Sequence, residues 1–366
     1  MKVDSGGVVG PTGAAALAQD AQARGYDGLW LGETAHDPLI GVALAAAGTT
    51  RIEVGTSITV AFARNPMNLA VAANDLQLVG GGRFLLGLGT QIKPHITRRF
   101  SMPWSQPAAR MRELVLAIRA IWDCWNDGAA LDFRGEFYTH TLMTPFFDPG
   151  PNPHGRPPVL LAGVGELMTK VAGEVADGFL CHPFTTERFL REVTVPALAT
   201  GRALTTGRTL ATGHALATGH ALATGHALAT GRTSAGGTLD GFTITGAPFV
   251  VTGRDEQELA AAARGTRKQL AFYASTPAYR PVLEIHGWGD LQEELNLLSK
   301  RGAWDEMGDL VDDEVLNTFA VVGEPDKVAS EIIRRYGDVM TRITLNTPYE
   351  SDQLLWPDIV AALQAS

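Results

Sequence analysis

Arg83-Phe-Leu-Leu-Gly-Leu-Gly-Thr90 is apolar along its whole length and carries polar residues only at its two ends. A strand with one solvated face alternates apolar and polar residues. This one does not, so both of its faces are expected to be buried, as in a parallel sheet covered by helices.

The neighbouring segments fit that expectation. Upstream lie a helix at Asn65–Val79, with Pro66 suited to its first turn, and the β-branched strand Arg51–Val60 (RIEVGTSITV). Before these come helix Pro38–Ala47, strand Gly25–Gly32 behind a turn, helix Gly13–Arg24 and strand Met1–Ser5. Downstream, a loop rich in His, Pro and Arg (Gln91–Pro107) leads into the strongest helix. There Met111, Leu114, Val115, Ile118, Ile121, Trp122 and Trp125 share one face. Leu131–Tyr138 reads as a small excursion. Strands Pro158–Gly163 and Gly178–His182 flank helix Glu166–Ala176, and strand Ala247–Thr252 precedes helix Glu256–Phe272. Helix Pro325–Tyr336 and strand Arg342–Asn346 complete the series. Roughly eight strands alternating with helices predict a closed (β/α)₈ TIM barrel with insertions, as a single domain over 1–366. The competing open doubly wound sheet lacks its G-x-G-x-x-G fingerprint after the first strand.

Composition narrows the function classes. The 366 residues hold 39 acidic and 30 basic side chains, a net charge of −9, which argues against nucleic acid as a partner. Only Cys124 and Cys181 occur, so no disulfide framework is expected. The N-terminus does not read as a signal peptide, and no apolar run reaches the 18 residues of a membrane span. A cytoplasmic protein without membrane association is the expectation.

From Ala199 to Ser234 a six-residue unit repeats (ATGRAL, TTGRTL, then ATGHAL three times and ATGRTS). It reads as a tandem expansion in a mobile surface loop; an interaction module is the alternative. His214, His220 and His226 have no Cys or carboxylate nearby to complete a metal site, and no metal is expected.

In a barrel, functional groups follow the C-terminal ends of strands. That rule selects Glu33, Thr34, His36 and Asp37 after the second strand, and Ser57 to Arg64 after the third. It selects Thr90, Gln91, Lys93 and His95 after the fourth, Gly163, Val164 and Gly165 after the fifth, and Cys181 and His182 after the sixth. His36 suits a proton carrier near neutral pH, or simply a helix entry beside Asp37 and Pro38. His95 sits with Lys93, Arg98 and Arg99, where it faces either an anion or water. Ala162–Gly165 either offers N–H groups to a phosphate or packs a strand on its helix. Cys124, Trp122 and Trp125 read as core. No zinc spacing, Walker loop or nucleophile elbow appears.

Four stretches carry a resemblance: GYDGLWLGETAHDP (25–38), RIEVGTSITVAFARNPMNLA (51–70), GGRFLLGLGTQIKPHITRRF (81–100) and LLAGVGELMTKVAGEVADGFLCHPF (160–184). Asn317–Gly323 adds a fifth. Together they resemble the luciferase-like monooxygenase superfamily, in its coenzyme F-420-dependent oxidoreductase branch. The resemblance implies a (β/α)₈ barrel, usually a homodimer, holding a deazaflavin or flavin at the strand C-termini. It implies that Ser57, Ile58 and Val60 back the ring, with a cis peptide at Ser57–Ile58. Thr90 and His95 would contact the cofactor side chain, and Gly163, Val164 and His182 its phosphate or tail. Glu33 and Thr34 fall where family members place an acid and often a His; here the nearest His is His36, two residues after Thr34.

The implied function is hydride transfer between coenzyme F-420 and a small organic substrate. His36 or Glu33 would handle the proton. The alternatives are an FMN-dependent monooxygenase of the same fold and a flavin-binding barrel without turnover.

Overall fold

The computed structural model describes residues 1–211 and 238–366. Eight parallel strands form the centre: β1 (Lys2–Gly7), β2 (Gly28–Leu31), β3 (Glu53–Thr56), β4 (Phe84–Gly89), β5 (Val159–Gly163), β6 (Gly178–Cys181), β7 (Thr243–Gly246) and β8 (Arg342–Thr344). Each pairs with the next, and β8 pairs with β1, which closes the ring. The strand Phe84–Gly89 is buried at every residue, as its unbroken apolar run predicts. The expected (β/α)₈ barrel is present.

The helices begin where sequence signals place them. α1 (Pro11–Ala23), α2 (Pro38–Ala47), α3 (Pro66–Val79) and α4 (Pro107–Asp127) each carry Pro in the first turn. The Asp37 carboxylate accepts from Leu39 N–H at 3.0 Å, and the Asn65 side chain caps α3 through Asn68 N–H at 2.9 Å. The face of α4 named above is buried, Trp122, Cys124 and Trp125 included, and Trp122 Nε1 donates to the Ala70 carbonyl of α3 at 3.1 Å. α5 (Glu166–Val175) follows β5.

The structure corrects three local expectations. The seventh barrel strand is Thr243–Gly246, not Ala247–Thr252. Phe249–Val251 instead pairs with Ala320–Val322 in a separate two-stranded sheet. Phe249 and Val251 serve a second core, built with Phe184, Phe189 and the helices α7 (Glu256–Ala274) and α8 (Gly289–Arg301), while Val250 packs into the main one. The loop Gln91–Pro107 contains a helical turn at His95–Arg99. The repeat, expected to be a loop from Ala199, starts as helix: α6 (Val195–Ala211) runs through its first two hexads. A Cβ on Gly201 would lie 2.0 Å from the Lys170 carbonyl, so the glycine of the first hexad is where α6 meets α5. The remainder of the repeat, with His214, His220 and His226, lies outside the described residues. Helix α9 (Pro325–Tyr336) precedes β8. Among the described residues no helix is long and apolar enough to cross a membrane.

Candidate active site

The C-terminal ends of the strands enclose a cavity of about 480 Å³. Its walls come from Gly6 and Gly7 on β1, Trp30 on β2, Ser57 after β3, Cys181 on β6 and Thr245 on β7, with Thr344–Thr347 at the end of β8. Tyr273 of α7 reaches it from the second core. That volume is in the range of small-molecule sites.

Between Thr56 and Thr59 the third strand is interrupted, and the Ser57–Ile58 peptide is cis, as the resemblance implies. Neighbouring glycines leave room for this bulge. A Cβ on Gly32 would come within 3.1 Å of the Ser57 carbonyl, and one on Gly89 within 2.9 Å of the Ile58 side chain. Ser57 N–H donates to the Leu31 carbonyl at 2.9 Å, and Ile58 O accepts from Glu33 N–H at 3.2 Å. The bulge is therefore stitched to the end of β2.

Glu33 belongs to the same brace. Its Oε2 accepts from Val60 N–H and from Arg64 Nη1, both at 2.8 Å, and the side chain is only 5% exposed. Arg64 also reaches Asp37 at 2.9 Å. Burial alone would lower the pKa of Arg64, but the two carboxylates outweigh it and hold the guanidinium above its ordinary range. Glu33, Ser57, Ile58 and Val60 thus come together. His36 is exposed, with its Nε2 3.3 Å from where a Cβ on Gly10 would lie, beside the loop that continues the cavity wall from Val8.

The other sequence-selected residues are placed elsewhere. The Thr34 carbonyl accepts from Arg99 Nη2 at 2.6 Å, Thr90 Oγ1 donates to the Gln91 carbonyl at 2.9 Å, and His95 is exposed at the start of its helical turn. Gly163 and Val164 are half-buried, and a Cβ on Gly163 would press on Met168 at 2.8 Å; this glycine packs β5 against α5. His182 has both ring nitrogens engaged. Nδ1 accepts from Phe184 N–H at 3.0 Å, which leaves the proton of the neutral ring on Nε2, donated to Tyr279 Oη at 2.9 Å. The ring stacks on Tyr279 with centroids 4.6 Å apart. Burial lowers the His182 pKa to about 4 and raises that of Tyr279 to about 12.

Gly6, Gly7, Trp30, Thr245 and Tyr273 were not anticipated from sequence. The strand-end rule applied to β1 and to the true β7 would have found Gly6, Gly7 and Thr245; Trp30 lies within β2, and Tyr273 comes from a helix of another core.

Under the cavity the barrel interior is charged. Asp4 and Arg342 are 1% and 4% exposed, and Arg342 Nε and Nη2 each donate to the Asp4 carboxylate at 2.7 Å. Arg342 and Lys2 also engage Glu53. Burial would raise the Glu53 pKa, yet these cations hold it below the usual carboxylate range.

The model of one family, luciferase-like monooxygenase, matches residues 3–342. This chain belongs to that family. An uncharacterised protein of Mycobacterium tuberculosis is 50% identical over 330 residues, which is 90% of this chain and 88% of the relative. An F-420-dependent glucose-6-phosphate dehydrogenase of Mycobacterium avium is 32% identical over 202 residues, covering 51% of this chain and 58% of that one. Among solved structures, the coenzyme F-420-dependent tetrahydromethanopterin reductase of Methanopyrus kandleri superposes with a TM-score of 0.72 at 20% identity, covering 99% of this chain and 96% of that one. This last likeness is one of fold.

Proposed function

We propose that this luciferase-like protein is an oxidoreductase that transfers hydride between coenzyme F-420 and a small organic substrate. The observation that carries the reading is the cavity at the strand C-termini, walled by Ser57 and floored by an indole. The F-420-dependent relative supports the choice of cofactor.

The residues present fit a planar ring. Gly6 and Gly7 leave one wall without side chains, and Ser57 lies two strands round the ring from them, on a bulge that Gly32 and Gly89 make room for. When bound, the deazaflavin supplies or accepts the hydride. The chain's own part is to orient the ring against the Ser57–Ile58 bulge and to hold a proton at the His36 imidazole. Glu33 Oε2 is engaged by two donors, so in this reading Glu33 positions Val60 and Arg64 while His36 exchanges the proton.

An FMN-dependent monooxygenase is the second reading, favoured by the family's own description. Titrating the protein with F-420 and, separately, with FMN while recording absorption decides between them, followed by an oxygen electrode. Tight binding of F-420 and hydride transfer without oxygen uptake are expected. Binding of FMN alone, with oxygen consumption when reduced, would replace the first reading by the second.

A further inference from the structure

Trp30 is built into the barrel unlike any other aromatic side chain. Its ring is 6% exposed and lines the cavity from below, within a small apolar layer of Leu85, Leu160 and Leu180. Its Nε1–H donates to Asp4 Oδ2 at 2.8 Å, and Arg342 Cζ lies 5.5 Å from the ring centroid. Two glycines make the arrangement possible. A Cβ on Gly28 would collide with Arg342 Nη2 at 2.6 Å and with Asp4 Oδ1 at 2.7 Å, and one on Gly55 with Trp30 Cζ3 at 2.4 Å.

A buried ion pair is a costly way to fill a barrel, since apolar side chains of the same volume would serve stability as well or better. What the pair does supply is direction. One carboxylate, itself fixed by two guanidinium hydrogen bonds, fixes the indole N–H, and the Gly55 backbone fixes the opposite edge of the ring.

We infer that Trp30 is the floor on which a planar aromatic ring stacks in the cavity, and that Asp4 and Arg342 are positioning residues that set the plane of the indole. The inference rests on the cofactor reading above and adds the surface that receives the ring. Offset stacking on a fixed indole gives both affinity and a defined height above the floor. A loose indole gives neither.

The test titrates wild-type protein and the variants Trp30→Leu, Gly55→Ala and Asp4→Asn with F-420 and with FMN, reading ligand absorption and fluorescence. Circular dichroism checks folding. For whichever ligand the wild type binds, Trp30→Leu is expected to weaken Kd about tenfold and to abolish the spectral shift of stacking. Gly55→Ala leaves the ion pair whole but displaces the ring, and should weaken binding in the same direction. Asp4→Asn keeps an acceptor for Nε1–H yet loses the charge that holds Arg342; a bound spectrum intermediate between wild type and Trp30→Leu is expected. Wild-type Kd and an unchanged bound spectrum in both Trp30→Leu and Gly55→Ala would overturn the inference. Failure of the wild type to bind either ligand would instead overturn the cofactor reading, and it is read from the wild-type curves alone.

Discussion

Arg64 Nη1 meets Glu33 Oε2 at 2.8 Å, and this contact ties the end of β2 to the segment that follows the Ser57–Ile58 bulge. Glu33 is nearly sealed from water, so removing its cation leaves a buried carboxylate with one backbone donor. Arg64→Met is therefore expected to lower unfolding free energy by about 3 kcal/mol. Chemical denaturation would show it, with Arg64→Lys losing clearly less.

His36 is exposed beside the cavity loop. His36→Asn should lower turnover about 100-fold while leaving F-420 affinity within a factor of two. A stopped-flow hydride-transfer assay separates the two quantities.

His182 makes stability depend on pH. Its folded pKa is about 4, against 6.5 for a free imidazole. Between these values the unfolded chain binds a proton that the folded chain does not. Stability due to this group is therefore full above pH 6.5 and falls as the pH drops toward 4, by up to about 3 kcal/mol. Urea denaturation at pH 7 and pH 4.5 should show a smaller pH-dependent loss in His182→Phe than in wild type, whatever the variant's stability at neutral pH.

Helix α2 has no polar side chain in Pro38–Ala47, yet Ile40 is 55% and Leu44 is 42% exposed. A helix apolar on every face is one that becomes covered. A second copy covering it across a two-fold axis would bury the same patch on both chains. Light scattering should give twice the 38.9 kDa chain mass for wild type, and Leu44→Glu should shift it to the single-chain value.

The barrel was legible because its strands are apolar on both faces, and Phe84–Gly89 alone implies cover on both sides. The seventh strand was not. Thr243–Gly246 is short and half threonine, whereas the nearby Phe249–Val251 is more apolar and belongs to a core that sequence periodicity does not separate from the first. Glu33, Ser57, Ile58 and Val60, selected by strand-end position and resemblance, converge on one bulge, of which Ser57 lines the cavity. Trp30 was hidden because an indole inside an apolar strand looks like core. Its partners, Asp4 and Arg342, lie at opposite ends of the chain, and only closure of the ring brings them together. His182 looked free to bind a ligand, and only Tyr279, 97 residues away, reveals that its ring is already committed.

Closure of the ring by β8 has a consequence for how the molecule is made. The last strand lies between β1 and β7, pairing Lys2 with Arg342 and Thr245 with the same Arg342. Until Arg342–Thr344 leaves the ribosome, any sheet formed by the seven earlier strands would have two bare edges, each a template for another chain. Synthesis of the stretch between β7 and β8 takes roughly ten seconds. In that interval the segment can assemble its own core of Phe249, Phe319 and their neighbours, apart from the waiting sheet. The nascent protein is thus most exposed to misassembly late in translation, and chains cut short before Arg342 would keep both edges open.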